Sequence, residues 1–70
     1  MNLTQLRPGE AADITAILPS PLAARLIDLG FLGRITCAAA GRGMRAYLVG
    51  GALIALRDAD ARTVRVRRLD

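Results

Sequence analysis

A pair of glycines, Gly50 and Gly51, divides the longest apolar stretch of the sequence, which runs from Ala46 to Leu56. This stretch is well short of the about 20 apolar residues that a membrane-spanning helix needs. Glycine tolerates the positive φ angles of a tight type I′ turn, so the pattern predicts a hairpin with strands Met44–Val49 and Ala52–Leu56. Because the second strand is apolar throughout, we expect it to lie centrally in a sheet, with both faces covered.

Three more segments, residues 12–18, 34–39 and 63–67, have apolar side chains at every second position. This spacing is typical of a strand with one buried face. The apolar positions of these alternations are Ala12, Ile14, Ala16, Leu18, Ile35, Cys37, Ala39, Val64 and Val66. We also expect a turn at Gly41-Arg42-Gly43 and a single helical turn over Asp58–Ala61.

Between the first two of these segments, the sequence carries the signals of a short helix. Ser20 suits the N-cap position, where its hydroxyl accepts a backbone N–H, and Pro21 suits the first helical position, where no N–H is needed. Gly30 suits the position after the helix, which often adopts a left-handed conformation. Between these signals lies one apolar stripe at i, i+4 and i+7, formed by Leu22, Leu26 and Leu29.

Together these elements predict a mainly β fold of about five short strands, with one short helix between the first and second strands. A flat sheet of this size leaves edges that promote aggregation, and closing it into a small barrel reduces them. We therefore predict a small SH3-like barrel, with a five-stranded OB-type barrel as the alternative. Apolar residues make up 53% of the chain and charged residues 23%, which is the balance of a folded chain. We expect residues 1–70 to form one domain.

The composition argues against most catalytic and metal-binding chemistry. The sequence has no His and one Cys, so it lacks the usual ligands of zinc, haem and iron–sulfur sites and the base of Ser–His or Cys–His catalysis. Cys37 is predicted to be a small buried side chain, and Asp58 and Asp60 to be solvated turn residues. Gly41–Ala46 fits the pattern G-x-G-x-x-A, but β-rich sequence follows where a dinucleotide site needs a helix. We expect no enzyme activity, no cofactor and no metal site.

The charge of the chain comes from ten basic residues, all of them Arg, against six acidic residues, for a formal net charge of +4. Four arginines make the last strand basic: Arg62, Arg65, Arg67 and Arg68. A basic small barrel that binds nucleic acid or serves as a regulatory module is therefore the alternative function. Phe31 and Tyr47 are the only aromatic residues, too few for the stacking platforms of a single-strand binder, so we do not expect nucleic acid as a partner. The opening residues show no basic region followed by an apolar run, and we expect a cytoplasmic location.

Four short motifs follow one another over nearly the whole chain. They are Leu3-x-x-Leu6-x-Pro8-Gly9, Leu22-x-x-Arg25-Leu26-x-x-Leu29-Gly30-Phe31, Val49-x-Gly51-x-x-Ile54-Ala55-Leu56-Arg57 and Asp60-Ala61-x-x-Val64-x-Val66. In this order and spacing they resemble the FeoA family, the small cytoplasmic ferrous iron transport protein A. The chain departs from that pattern in two places: residues 30–33 lack the proline that the family often has after the helix, and the segment between Gly33 and Val49 is a few residues short.

The resemblance implies an SH3-like domain that serves as an accessory to FeoB, a membrane transporter of ferrous iron with a cytoplasmic G domain. Because the chain offers no plausible set of iron ligands, we expect it to act by binding the cytoplasmic part of that transporter and to meet the membrane only through this partner. Whether the chain also forms a homo-oligomer is left open. The predicted docking surface is the helix and its following turn, to which Leu32 adds apolar area; its residues are Leu22, Arg25, Leu26, Leu29 and Phe31.

Overall fold

Five β-strands form one antiparallel sheet in a computed structural model that describes residues 1–69. The strands are β1 Ala11–Ile17, β2 Arg34–Ala40, β3 Met44–Val49, β4 Ala52–Arg57 and β5 Val64–Arg68. Helix α1, Ala23–Asp28, joins β1 to β2, the one-turn helix α2, Asp58–Ala61, joins β4 to β5, and a 3₁₀ turn over Leu3–Gln5 precedes β1. The order across the sheet is β4-β3-β2-β1-β5. The predicted mainly β, SH3-like fold with a short helix between its first two strands is therefore confirmed.

The sheet curls around one apolar core within a body of 27 × 25 × 22 Å. The buried side chains are Leu3, Leu6, Ala12, Leu26, Phe31, Ile35, Cys37, Tyr47, Val49, Leu56, Ala61, Val64 and Val66. The N-terminal turn packs over this core, and the Tyr47 hydroxyl donates a hydrogen bond to the Leu3 carbonyl at 3.1 Å. A single buried tyrosine thus connects the middle of the sheet to the start of the chain.

Two irregularities in strand pairing change which side chains face the core. The register between β1 and β5 shifts between Ile14 and Ala16. Ile17 therefore packs against the core, whereas Ala16 and Leu18 are exposed. The sequence alternation predicts the reverse for Ala16, Ile17 and Leu18, and it is wrong because one extra residue in a strand reverses the phase of its side chains. A shift in β2 leaves Ala39 exposed in the same way.

Helix α1 begins later than the sequence predicts, because the residues before it form a tight turn. The Ala23 N–H donates to the Ser20 carbonyl at 3.1 Å, and the Ser20 hydroxyl accepts the Leu22 N–H at 3.3 Å. The fixed φ of Pro21 suits such a turn as well as it suits a first helical position. Ser20 is therefore not the N-cap: Leu22 holds that position and makes no side-chain capping bond. No helix within residues 1–69 is long and apolar enough to cross a membrane.

The C-terminus of α1 is closed by a Schellman motif centred on Gly30. The Phe31 N–H donates to the Leu26 carbonyl and the Gly30 N–H to the Ile27 carbonyl, each at 3.0 Å. Gly30 has a φ of 91°, so the predicted glycine stop is confirmed. Leu26 and Phe31 are both fully buried in the core. The end of the helix is therefore anchored on the barrel by two side chains and two backbone bonds.

Strand β4 lies at one end of the sheet, and the prediction that it is central is wrong. Within residues 1–69 it pairs only with β3. Leu56 is buried and Ile54 packs against the core, but Leu53 is 64% exposed and Ala55 is exposed. The uninterrupted apolar sequence was interpreted as burial on both faces, whereas only one face is covered within the described chain.

The predicted glycine turns are confirmed. Gly50 and Gly51, with φ of 57° and 80°, form the two-residue turn between β3 and β4. Residues 41–43 form the turn between β2 and β3. The G-x-G-x-x-A segment therefore leads into a strand and not into a helix whose N-terminus could receive a pyrophosphate.

Replacing Gly30 by Ala is expected to lower the free energy of unfolding by about 1–2 kcal/mol, because an L side chain is strained at its left-handed φ. The matched control is Gly41→Ala. Gly41 does not have a positive φ, and a Cβ there meets only the Met44 carbonyl oxygen at 3.7 Å, an ordinary contact. Denaturant unfolding of both variants checks the prediction, and equal losses for the two would contradict it.

Candidate functional site

An apolar groove lies between helix α1 and strand β1. It is shallow, with a volume of about 190 Å³. Its lining residues are Ile14, Thr15, Ala16, Ile17, Ile27, Phe31 and Leu32. The register shift in β1 contributes to this groove, because the shift turns the small side chain of Ala16 outward and the larger side chain of Ile17 toward the core.

The anchoring of α1 determines which apolar side chains border the groove. Successive residues of an α-helix point about 100° apart, so burial of Leu26 directs its neighbour Ile27 to the flank of the helix. Ile27 is 50% exposed, and Leu32, which follows the buried Phe31, is 67% exposed. Two large aliphatic side chains therefore face solvent because their neighbours in the chain are held in the core.

The five residues predicted to bind a partner are divided by the structure. Leu26 and Phe31 are fully buried, although Phe31 also contributes to the lining of the groove. Leu22 packs partly against the core, whereas Arg25 and Leu29 are exposed. The predicted docking residues thus serve mainly to hold the helix in place, and two of the five, Arg25 and Leu29, remain on the surface.

Of the residues that line the groove, Phe31 and Leu32 are predicted from the sequence for the docking surface, whereas Ile27 is not. Ile27 falls outside the leucine stripe, and an apolar residue off the buried stripe of a short helix is itself a signal of a second apolar surface. Thr15 and Ala16 gave no such signal. They line the groove only because the register of β1 shifts beside them, which the sequence pattern does not reveal.

Ion pairs neutralise part of the basic strand β5. Asp13 lies between Arg34 and Arg67, with its carboxylate oxygens 3.8 Å from a guanidinium nitrogen of each. Glu10 approaches Arg68 at 3.6 Å. These pairs are exposed, so each contributes little to stability. They reduce the charge that β5 can offer to a phosphate backbone.

One cation that forms no ion pair within residues 1–69 lies beside the groove. Arg65 is the cross-strand neighbour of the groove residue Ala16, and both side chains are exposed. Arg25 is also exposed, but it lies on the flank of α1 opposite Ile27, and the helix carries the exposed Asp28 as well. The positive charge beside the groove therefore comes from Arg65 of β5.

A second cavity, of about 270 Å³, lies beside the turn between β2 and β3. Its lining residues are Ala39, Ala40, Gly41, Met44, Arg45, Ala46 and Ala55. Arg45 is the charged residue of this lining, and its Nε donates to Oδ1 of Asp58 at 3.2 Å. The cavity is therefore lined by small apolar side chains and an arginine that is already paired.

Two buried side chains in the described chain, Cys37 and Tyr47, can titrate. The pKa of each is raised, so both are protonated at neutral pH. Burial raises the pKa of the Cys37 thiol, an effect that nearby Arg45 partly opposes. Burial, reinforced by Cys37, raises the pKa of Tyr47 to about 12. Protonated groups without solvent access are poor nucleophiles and bases. Within residues 1–69 no three acidic or thiol side chains lie close enough together to hold a metal ion.

Stability is expected to fall as the pH rises from 10 to 12, because the unfolded chain releases the Tyr47 proton near pH 10 and the folded chain only near pH 12. The raised pKa of Cys37 acts in the same direction. Thermal unfolding across this range checks the prediction. Tyr47→Phe should be less stable at neutral pH by about 1–3 kcal/mol, because the Leu3 carbonyl loses its donor, and should show a flatter pH dependence. An unchanged slope in this variant would contradict the assignment.

Comparison with protein families identifies the chain. A sequence search against curated proteins finds no match. A family profile described as the FeoA domain, however, matches residues 1–68, which is nearly the whole chain. This range includes the five strands of the described chain, the groove and Arg65 beside it. The chain therefore belongs to the FeoA family and takes part in ferrous iron transport.

Proposed function

We propose that this chain is a non-enzymatic accessory of ferrous iron uptake that binds the cytoplasmic part of a FeoB-type transporter. The observation that carries the proposal is the apolar groove between α1 and β1, with the exposed side chains of Ile27 and Leu32 at its border. A cytoplasmic location follows from this choice of partner.

The chemistry of the groove favours a protein partner over a small polar substrate. Six of its seven lining residues are apolar, and the seventh, Thr15, carries a hydroxyl but no charge. A shallow apolar surface of this kind gains free energy when aliphatic or aromatic side chains of another protein cover it. Ile27 and Leu32 are the residues most able to contribute, because each presents half or more of its side chain to solvent.

The charges around the groove indicate the character of the matching surface. Arg65, beside Ala16, has no acidic partner within the described chain. A partner that places an acidic side chain next to an apolar residue would satisfy both features, and the net charge of +4 would speed its association at low salt. We therefore propose that the cytoplasmic region of the transporter offers an apolar anchor with an acidic border.

The predicted docking residues keep distinct roles in this proposal. Arg25 and Leu29 lie on the flank of the helix opposite Ile27, where a partner that also covers the top of the helix would reach them. Leu26 and Phe31 are positioning residues, because their buried side chains hold the end of the helix on the barrel. Leu22 stabilises the start of the helix against the core.

Leu32→Asp is expected to weaken binding to the purified cytoplasmic region of a FeoB-type transporter by about ten- to hundredfold, because it places a charge on the apolar surface. Leu53→Asp is the matched control, since Leu53 on β4 is 64% exposed against 67% for Leu32. Calorimetric titration measures both affinities, and circular dichroism confirms that both variants fold. If Leu32→Asp binds like the wild type, or if only Leu53→Asp loses binding, the groove is not the docking site.

A further inference from the structure

The free edge of β4 carries backbone groups that no other part of the described chain satisfies. In a hairpin with a two-residue turn, the residues next to the turn, here Val49 and Ala52, form a hydrogen-bonded pair. Hydrogen-bonded pairs recur at every second position along the two strands. Gly43 and Asp58 continue this series beyond the ends of the strands, and the Asp58 N–H donates to the Gly43 carbonyl at 2.9 Å. The N–H and C=O groups of Leu53 and Ala55 therefore point away from β3, toward solvent.

The other end of the sheet is protected, which makes the open edge of β4 distinctive. The N-terminal residues lie along β5: Asn2 forms an isolated bridge with Arg65, and the Val66 N–H donates to the Met1 carbonyl at 2.8 Å. Strand β5 also carries charged side chains, which oppose strand addition. Within residues 1–69 no further strand pairs with the free edge of β4, and β4 carries no charged side chain before its last residue, Arg57.

The distribution of charge identifies what can approach this edge. Each chain carries a net charge of +4, yet no residue from Ala46 to Leu56 is charged. Two copies of the chain therefore repel one another least where these segments meet. The arginines of β5, among them Arg65 beside the groove, make other approaches between two copies less favourable.

We propose that a second copy of this chain pairs with β4 in antiparallel fashion, about a two-fold axis at Ile54. In this register Ile54 faces Ile54 of the second copy, and Leu53 of each copy faces Ala55 of the other. Side chains of directly opposed residues lie on the same face, and Leu53 and Ala55 are both exposed on the outer face of β4. Each Leu53–Ala55 pair exchanges both of its hydrogen bonds, so the free groups of both copies are satisfied.

The size of the contact makes this association reversible. The accessible surface of the chain is 4323 Å². A contact that covers about a tenth of it, roughly 430 Å² on each copy, falls below the about 1,200 Å² of total buried area at which stable interfaces begin and in the range of weak, transient contacts. The dimer should therefore form at high protein concentration and dissociate on dilution. It is independent of the transporter contact, because β2 and β3 separate β4 from the groove strand β1.

Sedimentation analysis over a roughly hundredfold range of concentration tests the proposal. The wild type should shift from monomer toward dimer, and Ala55→Pro should remain monomeric because it lacks the donor on the free edge and keeps the ladder with β3. Leu32→Asp serves as the control and should dimerise like the wild type. A wild type that is monomeric throughout, or a folded Ala55→Pro that still dimerises, would overturn the proposal.

Amide hydrogen exchange gives a second readout that does not depend on a variant's folding. In concentrated wild-type protein the Leu53 and Ala55 amides should gain protection relative to dilute protein, whereas the Ile54 and Leu56 amides are protected at both concentrations. If proline disrupts the fold, Leu53→Asp replaces Ala55→Pro as the monomeric variant. Equal exchange of Leu53 and Ala55 at the two concentrations would contradict strand pairing.

Discussion

Burial of Leu26 and Phe31 at the end of helix α1 is the interaction on which the surface of this protein depends. The backbones of these two residues are linked in the Schellman motif, in which the Phe31 N–H donates to the Leu26 carbonyl at 3.0 Å. The motif requires a left-handed residue between them, and Gly30 supplies it. Because both side chains occupy the core, the side chains of their chain neighbours Ile27 and Leu32 point away from the core and border the groove. A local backbone requirement thus determines the position of the candidate docking surface.

The parts of the fold that the sequence could predict are those set by neighbouring residues. The left-handed glycines at positions 30, 50 and 51 mark a helix end and a hairpin turn because few other residues tolerate those conformations. Apolar residues at every second position predict strands β1, β2 and β5, because successive side chains of a strand point to opposite faces of the sheet. The helix between β1 and β2, and hence the SH3-like arrangement, followed from these local signals together.

The features that could not be predicted depend on pairing between distant segments. The register shift beside Ala16 arises where β1 meets β5, far away in the sequence, and it decides that Ile17 and not Ala16 faces the core. The position of β4 at the end of the sheet is likewise a property of strand order. Leu26 and Phe31 are among the predicted docking residues, yet both are buried in the core. For Leu26 the reason is that a stripe of leucines has the same spacing whether it meets the core or a partner.

The two apolar surfaces of the barrel differ in their electrostatic surroundings. The groove lies beside Arg65, whereas the edge of β4 lies within an uncharged segment. An acidic protein partner suits the first, and an identical, positively charged chain suits the second. The two proposed contacts therefore use different surfaces of the barrel.

Nuclear magnetic resonance titration of the labelled chain with the cytoplasmic region of a FeoB-type transporter tests the central claim most directly. If the groove is the docking site, the amide signals of Thr15, Ala16, Ile27 and Leu32 shift or broaden first, while those of β4 stay in place. Perturbations confined to β4 or to the β2–β3 turn, with the groove signals unchanged, would contradict it.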